Sequence, residues 1–486
     1  MAAANKGTTI FDATTPGAKG VMAPDPGVPE PQDNWRLPDA YRRSVPADLP
    51  EVAEPEVVRH YVRLSTRNHH IDKDTYPLGS CTMKYNPKIN ERTAAMAGFS
   101  RLHPETPDDH CQGALRLMWE LGRDLAVITG MDEVRLQPSA GAQGEMVGLL
   151  IALAYHRSRG EDRRKVIIPD SSHGTNPASV TLAGFDPVAV KSNEKGLVDP
   201  SELAAVLDDN VACIMLTNPN TLGLFEQDIL KITEMVHAKG GIVYNDGANT
   251  NALLGIARAG DMGFDVLHLN LHKTFSTPHG GGGPGAAAVG VTKELIPFLP
   301  GSGIEREENN GDMRFSRKSP GSQSIGSVHP FAGNFGVLVR AYTYIRLLGA
   351  EGLRQVAEDA VLNANYLMSR IKDVYDIPYG HRCMHEFVAS AVRQKKQGVR
   401  AGQIAKRLLD FGVHPPTVYF PLIVPEALMI EPTETESMAR VDAYAEALLQ
   451  IAREIESDPD MVNTAPHNAP IRKVDEARAA RDLDVG

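Results

Sequence analysis

Asp246, Lys273 and His173 are the residues of this chain whose types and spacing point to chemistry. Lys273 lies in Asp265–Gly285, DVLHLNLHKTFSTPHGGGGPG, where an alternating apolar run carries it to the end of a strand. LNLH precedes it and TFS comes after it, so no other formal charge flanks it, unlike a solvated surface lysine. The glycines beyond let a ligand come close to the backbone. Asp246 ends an earlier apolar run, GIVYND, one crossover upstream, so the two side chains fall at the same edge of a parallel sheet. Taken alone, Asp246 reads equally well as a turn or cap aspartate. Together the pair offers an amine for a Schiff base and a carboxylate for a ring nitrogen, the donor set for pyridoxal phosphate held covalently on Lys273. At ~4 Å and an intermediate dielectric, a carboxylate–pyridinium pair is worth roughly 4 kcal/mol before desolvation.

The phosphate of such a cofactor needs a seat of its own. Gln137–Glu145, QPSAGAQGE, places small residues just before a helix, where free N–H groups and the helix dipole attract an anion. Ser139, Ala140, Gly141 and Gln143 are the candidates. His173, in DSSHGTNPA, comes after the strand-like KVIIPD and can stack on the ring or simply bond loop backbone. Asn218 and Asn220 of TNPN can bond the cofactor oxygen or cap a turn. Two rival motifs fail. Gly280-x-Gly282-x-x-Gly285 has the dinucleotide spacing but leads into a strand-like AAAVGV rather than a helix. His268 and His272 would lie about 13 Å apart on a strand, too far for one zinc ion. No metal is expected.

The elements that must position these residues are read from hydrophobic period. From about residue 108 helical and strand-like segments alternate, which implies a mostly parallel sheet with helices on both faces and ligands at the carboxyl ends of its strands. Asp199 or Ser201 starts one of the helices, in PSELAAVLDDN. Three regions are expected: residues 1–90, an extended proline-rich arm and active-site loop; 91–330, a large cofactor-binding α/β domain; and 331–486, a smaller α+β domain. Trp35, Leu37, Tyr41 and Leu49 suggest that the arm docks in part.

Bulk properties narrow the class. A length of 486 residues allows two or three domains, and 42% hydrophobic with 23% charged residues is ordinary for a soluble enzyme. A formal charge of −11 argues against a general nucleic-acid or anionic-membrane binder. Four scattered cysteines argue against a disulfide framework or a cysteine zinc site and favour a reducing compartment. The first residues have no apolar signal core and are not arginine-rich, so a bacterial cytoplasmic protein fits best.

Several long segments carry a resemblance. YPLGSCTMKYNPKIN (Tyr76–Asn90), SSHGTNPAS, NDGANTNALLG, the Lys273 segment and PHNAPIRKVDE resemble the P protein family of the glycine cleavage system, decarboxylating glycine dehydrogenases of the fold-type-I PLP-dependent transferase class. The likeness spans nearly all of the chain after its first thirty or so residues. Its length matches the C-terminal half of the long single-chain form, that is, the second subunit of a split form. The resemblance implies a seven-stranded-type sheet, glycine decarboxylation, and transfer of the aminomethyl group to the lipoyl group of H protein. It implies a partner subunit 1 and a functional link to the T and L proteins, with no nicotinamide site. By the same resemblance Lys273 carries the cofactor, Asp246 faces the ring nitrogen, His173 stacks, Ser139–Gln143 seat the phosphate, and His272 and Thr277 join the cofactor set. The Tyr76–Asn90 segment, opaque by its residues, is expected to hold glycine or line the lipoyl entrance, with Cys81 a packed thiol because Thr82 and Met83 offer no base. Other readings stay open: an aminotransferase or desulfurase on the same fold, or a non-catalytic structural subunit.

Overall fold

The computed structural model describes residues 9–20, 25, 27–29, 37–280, 285–380 and 382–482. The chain divides into a short unit, Met1–His70, and a large one, Ile71–Gly486. The main element of the short unit is the helix Glu54–Ser65, with proline in its first turn, where the missing N–H is not needed. Elsewhere in it a few bonds suffice, such as Thr15 N–H to the Glu51 carbonyl at 2.8 Å. Leu37, Tyr41 and Leu49, expected to dock, are exposed, and Trp35 lies outside the described residues. No apolar period in this stretch builds a face for them to join.

The large unit is organised by a seven-stranded sheet: β1 (Glu133–Arg135), β2 (Lys165–Pro169), β3 (Asp186–Val190), β4 (Val211–Thr217), β5 (Ile242–Gly247), β6 (Val266–Asn270) and β7 (Ala287–Val291). The order is β1-β7-β6-β5-β4-β2-β3. Pairs from β3 through β6 are parallel, while β7 runs antiparallel to both β6 and β1. β4 is buried along its whole length, which is why its sequence, VACIMLT, shows no polar alternation. Its alternate side chains serve two cores. Ile214 and Leu216 pack with Leu121 and Leu125 of helix Gln112–Thr129, and Cys213 and Met215 with Val147 and Ile151 of helix Gly141–Ser158. Helix ends obey local chemistry. Gly130, in the left-handed region at φ 73°, stops the first of these helices. Asp199 rather than Ser201 caps helix Pro200–Val206, its carboxylate accepting from Ser201 N–H at 2.8 Å.

Beyond the sheet lies a hairpin of β8 (Gly303–Asn309) and β9 (Asp312–Lys318). Its strands, GIEREEN and DMRFSRK, are charged on both faces, so they carry no hydrophobic period to read. The helical run Phe335–Ile371, interrupted at Gly349, leads to a three-stranded antiparallel sheet ordered β10 (Phe387–Ser390), β12 (Ala427–Ile430), β11 (Thr417–Val418). This sheet has its own core, with Leu367, Phe387, Leu428, Tyr444 and Leu448 from strands and flanking helices. No helix among the described residues is long and apolar enough to cross a membrane.

Candidate active site

The carboxyl ends of β4, β5 and β6 come level because Thr217 pairs with Asp246, and Asp246 with His268. One residue past β6 the chain turns into the short helix Leu271–Thr274, which lifts Lys273 above that edge. A cavity of about 310 Å³ opens there. Lys273, Asp246, His173, His272, Ala140 and Gly141 all line it. That volume is at the lower end of the range for small-molecule sites.

Each wall is held from behind. Lys273 Nζ donates to the carbonyl of Ser80 at 2.9 Å. Asp246 Oδ1 accepts from Ala248 N–H at 3.0 Å and lies 3.4 Å from His268 Nε2. The other nitrogen of His268 meets the Tyr244 hydroxyl at 2.7 Å, so this buried imidazole is engaged within the sheet and is no zinc partner for His272. Burial lowers the His268 and His173 imidazoles below the ordinary value. Burial, then the neighbouring His279, takes His272 down to about 3. These rings are neutral near pH 7.

The third wall is the start of helix Gly141–Ser158. Its N-cap, Ala140, provides no side-chain cap, so the first amides keep their donors. A methyl group on Gly141 would run into the Asn270 amide, so only glycine lets this turn approach β6 so closely. Ser139 and Gln143 bond each other rather than lining the cavity: Ser139 N–H donates to Gln143 Oε1 at 2.7 Å. Asn218 also lies outside the wall, accepting from Glu226 N–H at 3.1 Å, and Thr277 is fully buried without lining it.

Ser80, Thr217 and His279, from segments expected near the site, also line the cavity, and Glu145, Thr175, Thr221, Asn249 and Asn270 join them unanticipated. Two of them bear on what the cavity can hold. Thr217 Oγ1 and Asn270 Oδ1 are buried with no hydrogen-bond partner among the described residues. Buried polar groups are nearly always paired, so this wall fits a polar occupant. A lysine, a carboxylate, uncapped helix amides and unpaired side-chain oxygens around one small cavity fit pyridoxal phosphate. Glu145 had a legible signal, an acid inside the apolar helix run GEMVGLLIALA. Burial, then the charge of Asp246, raises its carboxyl to about 7.

A family model described as glycine dehydrogenase, C-terminal domain, matches residues 356–473, and one described as aminotransferase class-V matches 146–405. A probable glycine dehydrogenase (decarboxylating) subunit 2 of Bacillus velezensis is 57% identical over 473 residues, covering 97% of this chain and 96% of its own. One of Chloroherpeton thalassium is 54% identical over 476 residues, covering 98% and 97%. The chain belongs to the glycine dehydrogenase (decarboxylating) subunit 2 family. Its fold is that of the glycine decarboxylase (P-protein) of the glycine cleavage system solved in inhibitor-bound form, with TM-score 0.72 at 21% identity over 85% of this chain and 93% of that one.

Within this family fold, the Tyr76–Asn90 segment acquires a physical role. It runs as a strap between the small sheet and the Lys273 turn. Leu78 bridges to Ile430, and Gly79 N–H donates to the Met429 carbonyl at 3.2 Å. Ser80, in the left-handed region at φ 63°, donates its N–H to Glu386 Oε2 at 2.7 Å while its carbonyl takes Lys273. Thr82 donates to Glu431 Oε1 at 2.5 Å. Lys84 Nζ reaches Glu434 Oε1 at 2.7 Å and the Thr274 carbonyl at 2.8 Å. Burial raises the Glu386 carboxyl to about 7, and burial with the charge of Glu386 holds Glu431 well above the ordinary range. His385, Glu386 and Glu431 bring donor atoms within 4.8 Å of one another, but none of the three lines the cavity. Cys81 does have a base nearby, His279 Nδ1 at 3.8 Å, contributed from 198 residues away. Burial nevertheless pushes its thiol up.

Proposed function

We propose that this chain carries the glycine-decarboxylating site of a two-subunit glycine dehydrogenase. Glycine loses its carboxyl group as carbon dioxide. The aminomethyl group bonds to one sulfur of the lipoyl disulfide of H protein, and the other sulfur takes a proton. The observation that carries this reading is the meeting of Lys273 and Asp246 on one polar cavity, in a chain more than half identical to subunit 2 relatives.

Pyridoxal phosphate, when bound, supplies the sink for the electrons released as the carboxyl group leaves. Lys273 is its covalent attachment point, and the Ser80 carbonyl orients the amine. Asp246, steadied by Ala248 N–H and His268, keeps a proton on the ring nitrogen. The amides beginning at Ala140 and Gly141 take the phosphate, with Ser139 and Gln143 shaping their turn. His173 and His272, which line the cavity, would flank the ring. Asn218 and Thr277 support the surrounding loops. Residues 91–330 form the cofactor domain, which the loop before residue 90 and the small domain, 331–486, complete. Subunit 1 and lipoylated H protein are the partners, with a functional link to the T and L proteins. The cytoplasm suits four free thiols.

The test is exchange of labelled carbon dioxide with the carboxyl group of glycine, with and without subunit 1 and lipoylated H protein. Exchange that needs cofactor and rises with H protein is expected. No exchange in any combination, from protein that holds the cofactor, would overturn the glycine assignment and leave the cofactor assignment standing.

A further inference from the structure

We propose that Glu145 is a positioning residue that stores a proton for the cavity and sets the tautomer of His173 through the hydroxyl of Thr175. The inference rests on the reading of His173 as a cavity residue of the decarboxylation site and deepens it.

Glu145 is 6% exposed. Both its oxygens accept from helix Thr175–Leu182: Oε1 from Thr175 Oγ1 and Oε2 from Ser179 Oγ, each at 2.9 Å. Thr175 and Ser179 stand one helical turn apart, so one face of that helix grips the carboxyl. Thr175 Oγ1 also lies 2.9 Å from His173 Nδ1. The three side chains form an unbroken line, and Glu145, Thr175 and His173 all line the cavity.

A hydroxyl has one proton and can donate in one direction only. With Glu145 ionised, Thr175 donates to the carboxylate, and Nδ1 must carry the ring proton to complete the line. With Glu145 protonated, the carboxyl donates to Thr175, Thr175 donates to a bare Nδ1, and the ring proton sits on Nε2. The Thr175 N–H, 3.2 Å from Nδ1, works with the second arrangement. A proton taken up at Nε2 therefore moves the Nδ1 proton to Thr175 and the Thr175 proton to Glu145. The imidazole is neutral before and after, and the carboxylate has become an acid. The proposed reaction takes up one proton at sulfur, so a one-proton store beside the cavity has a use.

The electrostatics allow both arrangements near neutral pH. Burial and Asp246 raise the Glu145 carboxyl to about 7 against the pull of the two hydroxyls and Lys273. Burial and Lys273 keep His173 neutral. Two more titratable groups pack against the helix that carries Glu145: Tyr244, whose hydroxyl burial holds well above its usual value, and His268, which burial lowers. Neither changes charge in this range.

The test uses the full chain with subunit 1 and cofactor, labelled with ¹⁵N-histidine, His173 being assigned by its loss in His173→Asn. The wild-type ring is expected to move from Nε2–H to Nδ1–H as pH rises through about 7. On its limiting limb the exchange rate is expected to change about tenfold per pH unit. Glu145→Gln and Thr175→Val should each abolish the tautomer change and flatten that limb, with the KM for glycine within about twofold. Thr175→Ser should preserve both. A tautomer change that persists at the same midpoint in Glu145→Gln, or in Thr175→Val should the first variant not fold, would overturn the relay. A wild type that holds cofactor and exchanges glycine without any His173 tautomer change would overturn it too, leaving the decarboxylation reading intact. A wild type that holds no cofactor would overturn both.

Discussion

Lys84 and Lys273 reach the same turn from opposite parts of the chain, and the protein treats their amines differently. Lys84 is 3% exposed, and the three N–H donors of its Nζ have four oxygens in reach, on Asn251, the Thr274 backbone, Tyr344 and Glu434. Burial pulls its ammonium down, and the charge and hydrogen bond of Glu434 restore it to above the ordinary value. Such an amine is saturated and has no valence left for chemistry. Lys273, next to the carbonyl that Lys84 grips, makes one hydrogen bond among the described residues and faces a cavity. The contrast teaches that burial alone does not mark a reactive lysine. What distinguishes the two is how many partners the amine has and whether open volume adjoins it. The first lysine is a fastener that holds the second in place.

Three substitutions test that division, in falling order of effect. Lys273→Ala should remove at least about a thousandfold of glycine exchange while leaving the denaturation midpoint essentially unchanged. Should it unfold the protein instead, the two lysines would be alike and the contrast lost. Lys84→Met should cost about 3–5 kcal/mol in denaturant unfolding, because it leaves the Glu434 carboxylate buried without its cation. Lost activity with full stability would make Lys84 a member of the chemistry rather than a fastener. Gly79→Ala probes the strap's seat with the smallest change. Its new methyl group would meet the Met429 side chain and come within 2.6 Å of the Met429 carbonyl oxygen. A cost of about 1–3 kcal/mol is expected, with cofactor affinity falling alongside stability, since Ser80 holds Lys273. An unchanged affinity would uncouple the strap from the site.

The same contrast explains what could be read from residues alone. Lys273 and Asp246 announce themselves because each ends an apolar run in a β/α chain, and parallel topology carries strand ends to one edge. The helix that begins at Gly141 was legible because a run of small residues leads into a long apolar stretch. Lys84 was not legible, because its partners lie 350 and 190 residues away and no local period connects them. The Glu145–Thr175 pair is likewise set by tertiary packing, with Glu145 an acid in an apolar run that only the fold explains. Glu386 and Glu431 border apolar strands in HEFVAS and LMIEPTE, where a charge beside a buried run signals a buried partner without saying which. His279 escaped as a neighbour of Cys81 because that distance is closed by the strap, not by the sheet.

The strap also orders events in time. Its residues emerge early from the ribosome, yet the acids that seat it come 306 and 349 residues later. A nascent chain can complete the large sheet, with Lys273 and Thr274 already there for Ser80 and Lys84 to meet, before Glu386, Glu431 and Glu434 have been made to seat the strap. Contacts of such separation form late, so the strap stays incompletely seated until almost the whole polypeptide has been made. A truncated product of translation would thus have the sheet and the reactive amine without the framework that aims it. These distant contacts act as a check that the acids have been made before the amine is finally set.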